Sequence, residues 1–240
     1  MTDAIALLSV GLRADAEALR VTSQNVANIQ TPGYRREISV LENAFESLAQ
    51  GTAAASAALT PPTMRVANDW HAGSLQQAGG PWNVALEGDG YFVLSTPSGE
   101  HVTRRGDFAL DATGKLVSHD GFAVLGDGGE ITPGAGVPTI DSDGTIHVNG
   151  QVIDRLRRVV VDANRLVPSG DSQFAPAPGS SLTEAAANAV KQGFVESSNV
   201  APVNELLRLM ETMRHFEMTE RFVRGANDML GNAITTLGKI

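Results

Sequence analysis

The strongest periodic pattern in the chain runs from Asn199 to Gly238. Val203, Leu206, Met210, Met213, Phe216, Val223, Leu230, Ile234 and Leu237 recur there at steps of three, four and seven, laying an apolar seam along one side of a helix. The opposite side carries Glu205/Arg208, Glu211/Arg214, Glu217/Arg221 and Glu220/Arg224, acid first, each pair worth about 0.2–0.5 kcal/mol. Glu220 and Asn227 fall on the seam itself, where a polar residue weakens the contact or fixes its register. Asn199 is the expected N-cap, with Pro202 in the first turn. A helix of about 40 residues is roughly 60 Å long. One domain does not need that length, so the seam requires a partner.

A second helical pattern covers residues 3–29. Ile5, Leu12, Leu19 and Val26 repeat every seven, with Leu8, Asp15 and Thr22 between them, a partial heptad seam. An ordinary amphipathic helix on the protein's own core is the alternative for this segment alone. The helix stops at Thr31-Pro32-Gly33: the residue before a proline is pushed out of the helical region, and glycine supplies a turn. Asn25 and Asn28, just before that stop, have short amides able to bond freed backbone groups.

Between the helices the period changes. Residues 46–80 are rich in Ala, Thr, Ser, Gly and Pro and read as a linker or extended segment, since small side chains offset little ordering entropy. Residues 83–165 hold short β-favouring runs such as Val84-Ala-Leu, Tyr91-Phe-Val-Leu and Phe122-Ala-Val-Leu, separated by Gly/Asp turns every eight to twelve residues. That spacing predicts an antiparallel sandwich or barrel-like unit. Residues 166–190 read as another connection. The expected class is α+β, with paired N- and C-terminal coiled-coil helices around a central antiparallel β-rich domain. Its segments are 1–30 (helix), 31–82 (linker), 83–190 (β domain) and 191–240 (helix). Two long end helices without a third must pair with each other or with other copies.

Charge sharpens this picture. The net charge is −9 over 240 residues, yet residues 1–45 and 184–240 each stand at −1, so the middle carries −7. Near-neutral ends can pack closely with many copies, while an acidic centre keeps a surface soluble. No basic stripe interleaved with aromatics points to nucleic acid, and no apolar run is long enough for a membrane helix. The start, Met1-Thr-Asp-Ala-Ile, does not read as a cleaved secretory signal.

Candidate chemistry is sparse. The chain has no cysteine, and His71, His101, His119, His147 and His215 never stand four apart. Asp141-Ser-Asp143-Gly144 begins like a calcium loop, but Val152 occupies the position where the loop's Glu belongs, so a β-turn is expected. Asp107 and Asp111 read as turn acceptors and Arg104-Arg105 as a solvated strand edge. These residues give no catalytic, cofactor or metal site. A secreted β-domain hydrolase using Asp107, Asp111 and Asp141, or a self-associating adhesin or export chaperone, are the alternatives to an assembly subunit.

Four ordered motifs resemble the bacterial flagellar axial proteins, and within them the basal-body rod. Asn25-Val-Ala-Asn-Ile-Gln-Thr-Pro-Gly-Tyr34 is similar to that family's N-terminal signature, with Asn25, Asn28, Thr31, Gly33 and Tyr34 as its motif residues. Gly73 to Phe92 is similar to the segment entering the family's β domain, with Asn83 where Asp is usual. Thr103-Arg-Arg-Gly-Asp-Phe108, Gly114-Lys-Leu-Val117 and Gly121-Phe-Ala-Val-Leu-Gly126 continue the match, Val102 replacing a customary Tyr. Gly193-Phe-Val-Glu-Ser-Ser-Asn-Val200, then Glu205, then Met213-Arg-His-Phe-Glu217, resembles the C-terminal signature, whose motif residues are Ser198, Asn199, Val200, Glu205, Arg214 and Glu217.

The resemblance implies a structural, non-enzymatic rod subunit in the periplasm-spanning basal body, assembling helically through its end helices and transmitting torque from motor to hook. A short middle domain favours rod over hook, and the brief 46–70 segment with Arg214-His-Phe-Glu-Met218 favours a proximal-rod type over a distal one. The implied partners are other rod subunits, copies of the chain and the flagellar type III export apparatus, with no cofactor, nucleic acid, membrane insertion or small-molecule substrate. Both helical seams, Ile5, Leu8, Leu12, Leu19 and Val26 with the nine positions from Val203 to Leu237, are the expected assembly interface.

Overall fold

The periodic stretches at the two ends form the long helices. The computed structural model describes residues 2–42, 63–185 and 189–237, with side chains from 10–40, 64–185, 189–229 and 231. The chain divides into two compact units. The first contains Met1–Ala27, Arg36–Asp69 and Ala201–Ile240, and the second contains Asn28–Arg35 and Trp70–Val200.

In the first unit α1 spans Thr2–Ala27 and α2 spans Pro202–Leu237. Between them in sequence lie β1 (Glu37–Glu42) and β2 (Thr63–Asn68), an antiparallel pair in register from Glu37↔Asn68 to Glu42↔Thr63. These strands fall inside 31–82, read above as linker. Their sequences, Glu-Ile-Ser-Val-Leu-Glu and Thr-Met-Arg-Val-Ala-Asn, alternate with period two, a signal masked by the small residues that follow. The Ala-rich stretch 43–62 lies outside the described residues. Asn199 is not the N-cap of α2. The first helical amide bond runs from Glu205 to the Ala201 carbonyl at 3.0 Å, and the Asn199 amide donates to the His71 carbonyl at 2.9 Å.

The second unit is built from short antiparallel strands. They run as β3 (Leu75–Gln77), β4 (Val84–Glu87), β5 (Tyr91–Thr96), β6 (Gly99–Thr103), β7 (Ala109–Leu110), β8 (Leu116–Val117), β9 (Ala123–Gly126), β10 (Gly129–Glu130), β11 (Pro138–Ile140), β12 (Thr145–Val148) and β13 (Gln151–Arg155). There follow β14 (Arg158–Val160), β15 (Leu166–Pro168), β16 (Gln173–Pro176), β17 (Thr183–Glu184), β18 (Ala189–Gln192) and β19 (Phe194–Glu196). The main sheet orders them β15-β16-β6-β5-β9-β8-β7, and β11-β12-β13 form a second. β18 pairs β4 and β19 pairs β3, which brings the end of the unit back beside its beginning.

Strand β5 is buried on both faces, which is why Tyr91-Phe92-Val93-Leu94 reads as an unbroken apolar run. Tyr91 and Val93 join Val102, Val159, Leu166 and Phe174 in one core. Phe92 and Leu94 join Trp82, Phe108, Leu116, Ile146 and Leu156 in the other. Aromatic edges meet faces in both: Phe92 on Phe108 at 5.2 Å, and Trp70 on Phe174 at 4.9 Å. The connection expected over 166–190 holds β15, β16, β17 and the start of β18 instead. Its Pro and Ser content hides the strands, but Phe174 beside Val102 anchors β16 on β6.

Two turn expectations hold in detail. Asp111 accepts bonds from the Thr113 and Lys115 amides, and Asp143 from the Thr145 amide, each closing a tight turn with glycine at positive φ at Gly114 and Gly144. Arg104 and Arg105 are not a solvated edge. Both are buried, Arg105 pairing with Asp107 at 2.6 Å.

Candidate functional site

The motif residues from the two ends of the chain converge on two glutamates, one in each unit. In the first unit that residue is Glu205, in the first turn of α2 and 2% exposed. The Asn25 amide donates to its Oε1 at 2.7 Å, and Arg36 Nε donates to its Oε2 at 3.0 Å. Asn25 is fully buried and also closes a two-point bond with the backbone of Glu37, donating to its carbonyl and accepting from its amide, both at 2.8 Å. One side chain thus fixes α1 to β1 and to α2. The expected Glu205/Arg208 surface pair is absent because the carboxylate is already taken by Asn25 and Arg36. Farther along the same helices, Asp15 meets His215 Nδ1 at 2.8 Å and accepts from Thr219 at 3.1 Å.

In the second unit the glutamate is Glu196, 1% exposed. Its Oε1 takes Arg35 at 2.6 Å and the Gly73 amide at 2.9 Å, and its Oε2 takes Arg104 at 3.3 Å. Arg104 also donates to the Gly88 carbonyl at 2.6 Å and stacks over Tyr91, 5.3 Å from the ring centre. Burial pulls the Arg104 guanidinium below its ordinary pKa, with Glu196 opposing, and pushes the Tyr91 phenol up. The Glu196 carbonyl accepts from the Gly33 amide at 2.8 Å. The turn before it is closed by Thr31 on Asn28, both backbone to backbone and hydroxyl to amide oxygen, and the Tyr34 carbonyl takes the Asn199 amide. Ser198 caps the Val200 amide at 3.3 Å, and Tyr34 and Val200 are buried.

The predicted seam splits. Leu12, Leu19 and Val26 are half-buried on α1, and Phe216 and Val223 are half-buried on α2. The side chains of Ile5, Leu8, Leu230, Ile234 and Leu237 lie outside those described. Val203 (70% exposed), Leu206 (46%), Met210 and Met213 face solvent. The shielded strip of α2 is instead Glu205, Leu209, Thr212, Phe216, Thr219, Val223 and Ala226, alternating by four and three. Glu220 is half-buried and pairs with Arg224, Asn227 is exposed, and of the two motif residues Arg214 and Glu217, both exposed, Glu217 stands 3.9 Å from Arg221. Counting apolar residues misplaces the strip because three of its seven positions are polar: Glu205 is met by Asn25 and Arg36, Thr219 by Asp15, and Thr212 donates to the Arg208 carbonyl of its own helix. Leu207, Met218, Phe222 and Met229 widen the outward apolar surface. Among the described residues no cluster of three or more His, Asp or Glu could hold a metal, and no helix is long and apolar enough to cross a membrane.

A buried ionic hub in each unit, and a long helix whose most apolar stripe faces outward, are features of structural assembly subunits. Comparison with known proteins makes this specific. Residues 191–236 match the family model described as flagellar basal body rod FlgEFG protein C-terminal, and residues 85–152 match the flagellar hook protein FlgE/F/G D1 domain. The chain is 33% identical to the flagellar basal-body rod protein FlgF of Mesorhizobium japonicum, over 92% of this chain and 91% of that protein. It is 30% identical to FlgF of Salmonella typhimurium (89% and 89%) and 30% identical to the rod protein FlgG of Agrobacterium fabrum (94% and 96%). The chain belongs to the flagellar basal-body rod protein family. It is a structural subunit of the basal body, FlgF-like, and not an enzyme.

Proposed function

We propose that α1 and α2 pair as an antiparallel coiled-coil layer and that the outward apolar stripe of α2 binds neighbouring rod subunits. A contact of this head-to-tail kind, which does not close on itself, builds a helical tube suited to carrying torque from motor to hook. The observation that carries this reading is the exposure of Val203, Leu206, Leu207, Met210 and Met213 within three turns of one helix. Contiguous exposed apolar surface of that extent marks an interaction site. Export by the flagellar type III apparatus then delivers the chain. The likeness to FlgF favours a proximal-rod position.

The test is Leu206→Asp together with Met210→Asp. Both side chains are half-exposed in the chain by itself, so each variant should melt like the parent. In cells each should abolish rod assembly and swimming, because the new charge would be buried without a partner. Normal motility in either variant would remove the stripe from the interface.

A further inference from the structure

Two polar layers join α1 to α2, and they agree with each other. Asn25 lies on Glu205 at 2.7 Å and Asp15 lies on His215 at 2.8 Å, so a step of ten residues toward the start of α1 is matched by ten toward the end of α2. Both layers describe one antiparallel register.

The apolar residues between them do not select that register. Leu12, Leu19 and Val26 repeat every seven on α1, and Leu209, Phe216 and Val223 repeat every seven on α2. Sliding one helix by a heptad, roughly 10 Å, lays the same types of side chain against each other again. The polar layers change completely. A shift one way sets Glu205 opposite Ala18, and a shift the other way carries it past the end of α1 at Ala27. Asn25 would then face Thr212 or lose α2 altogether, and His215 would face Leu8 or Thr22. Each shift strands a buried carboxylate without Asn25 and Arg36, the most costly outcome for a group of this kind.

We propose that Asn25, Glu205 and Arg36, seconded by Asp15 and His215, are positioning residues that select this register of the end helices over its heptad-shifted alternatives. A polar residue that fixes register at some cost in stability is the best-attested use of such groups in paired helices. The inference rests on the helix pairing proposed above.

The chain has no cysteine, so introduced pairs report cleanly. Ala18 and Thr212 line one groove, which makes Ala18→Cys with Thr212→Cys the reporter of the observed register. Gly11→Cys with Ala226→Cys, and Gly11→Cys with Thr212→Cys, report the two heptad shifts. The purified full-length chain is treated with a short bismaleimide, and cross-linked product is read on gels with helicity followed by circular dichroism. The parent should give the first product and at least tenfold less of the other two. With Asn25→Ala, or separately Glu205→Ala, the shifted products should rise to within threefold of the first while helicity is kept. Variants that cross-link only as the parent does would overturn the register role and leave the pairing intact. Loss of helicity with no product would overturn it too, assigning the residues to folding instead. A parent with no product at any pair would overturn the helix pairing itself.

Discussion

Arg35 and Glu196 stand 161 residues apart in sequence and 2.6 Å apart in space, each with a side chain about 1% exposed. The carboxylate also holds Arg104 and the Gly73 amide, so three separate stretches of the β unit depend on one side chain. Removing one partner of a buried pair strands the others, at about 3–5 kcal/mol. Glu196→Ala should therefore destabilise the β unit by that amount. Both tryptophans of the chain, Trp70 and Trp82, lie in this unit, so their fluorescence during denaturant unfolding reads it directly. A loss under about 1 kcal/mol, the level of an exposed pair, would contradict the hub assignment.

Gly33 has φ +66, and a Cβ placed there would sit 2.5 Å from the Arg105 amide nitrogen and 2.7 Å from the Arg104 carbonyl carbon. Those atoms are backbone and cannot swing aside. The left-handed conformation alone costs a side-chain-bearing residue about 1–2 kcal/mol, and the clash adds to it. Gly33→Ala should lower the midpoint of β-unit unfolding by more than that conformational cost, whereas alanine at Gly114, where φ is also positive but the space is open, should show the conformational cost only.

Acid stability should depend on two turns. The Thr113 hydroxyl, first, and the Lys115 amide hold the Asp111 carboxylate below its ordinary pKa of 3.8. The Thr145 amide, first, and the Thr145 hydroxyl do the same for Asp143. A pKa lowered by folding contributes stability that is complete above the unfolded value and is lost as pH falls through the folded one. The β unit should hold its melting temperature down to about pH 4 and lose it below. Asp111→Asn with Asp143→Asn keeps a turn acceptor but removes the proton linkage, so the melting temperature of this variant should fall less steeply below that point. Identical acid limbs in parent and variant would show that these turns carry none of the effect.

Much of the fold is legible in the sequence where short-range physics decides. The end helices follow from periodicity, the β strands from aliphatic runs between glycine turns, and the turn roles of Asp111 and Asp143 from their spacing. The seam is less legible. Choosing the most apolar stripe of α2 selects the outward face, since the strip against α1 includes Glu205, Thr212 and Thr219. Thr212 satisfies its hydroxyl on the Arg208 carbonyl four residues away, but Glu205 and Thr219 are tolerable inside because Asn25, Arg36 and Asp15 meet them, and those partners lie up to 204 residues away. Arg104 reads as a surface charge for the same reason, its partner being 92 residues distant. The motif residues Asn25, Gly33, Tyr34 and Glu205 could be picked out by resemblance, and Glu196 lies within the same C-terminal signature, but nothing in its local sequence signals its burial.

Gly225 offers a test that separates the chain alone from the chain in its assembly. It sits inside α2 on the outward line Met218–Phe222–Gly225–Met229, and nothing lies within 4 Å of the Cβ it lacks. Glycine in a helix interior costs about 1 kcal/mol relative to alanine, and no contact within the chain offsets that cost. Gly225→Ala should therefore make the purified chain more helical and more resistant to unfolding of α2 by about 1 kcal/mol, measured by circular dichroism at increasing denaturant. In the rod the same methyl group would meet whichever neighbour approaches the stripe. Swimming of a strain carrying Gly225→Ala should fall while its subunit is the more stable one. Greater helicity with undiminished swimming would place Gly225 outside the contact and move the interface toward Val203–Met213.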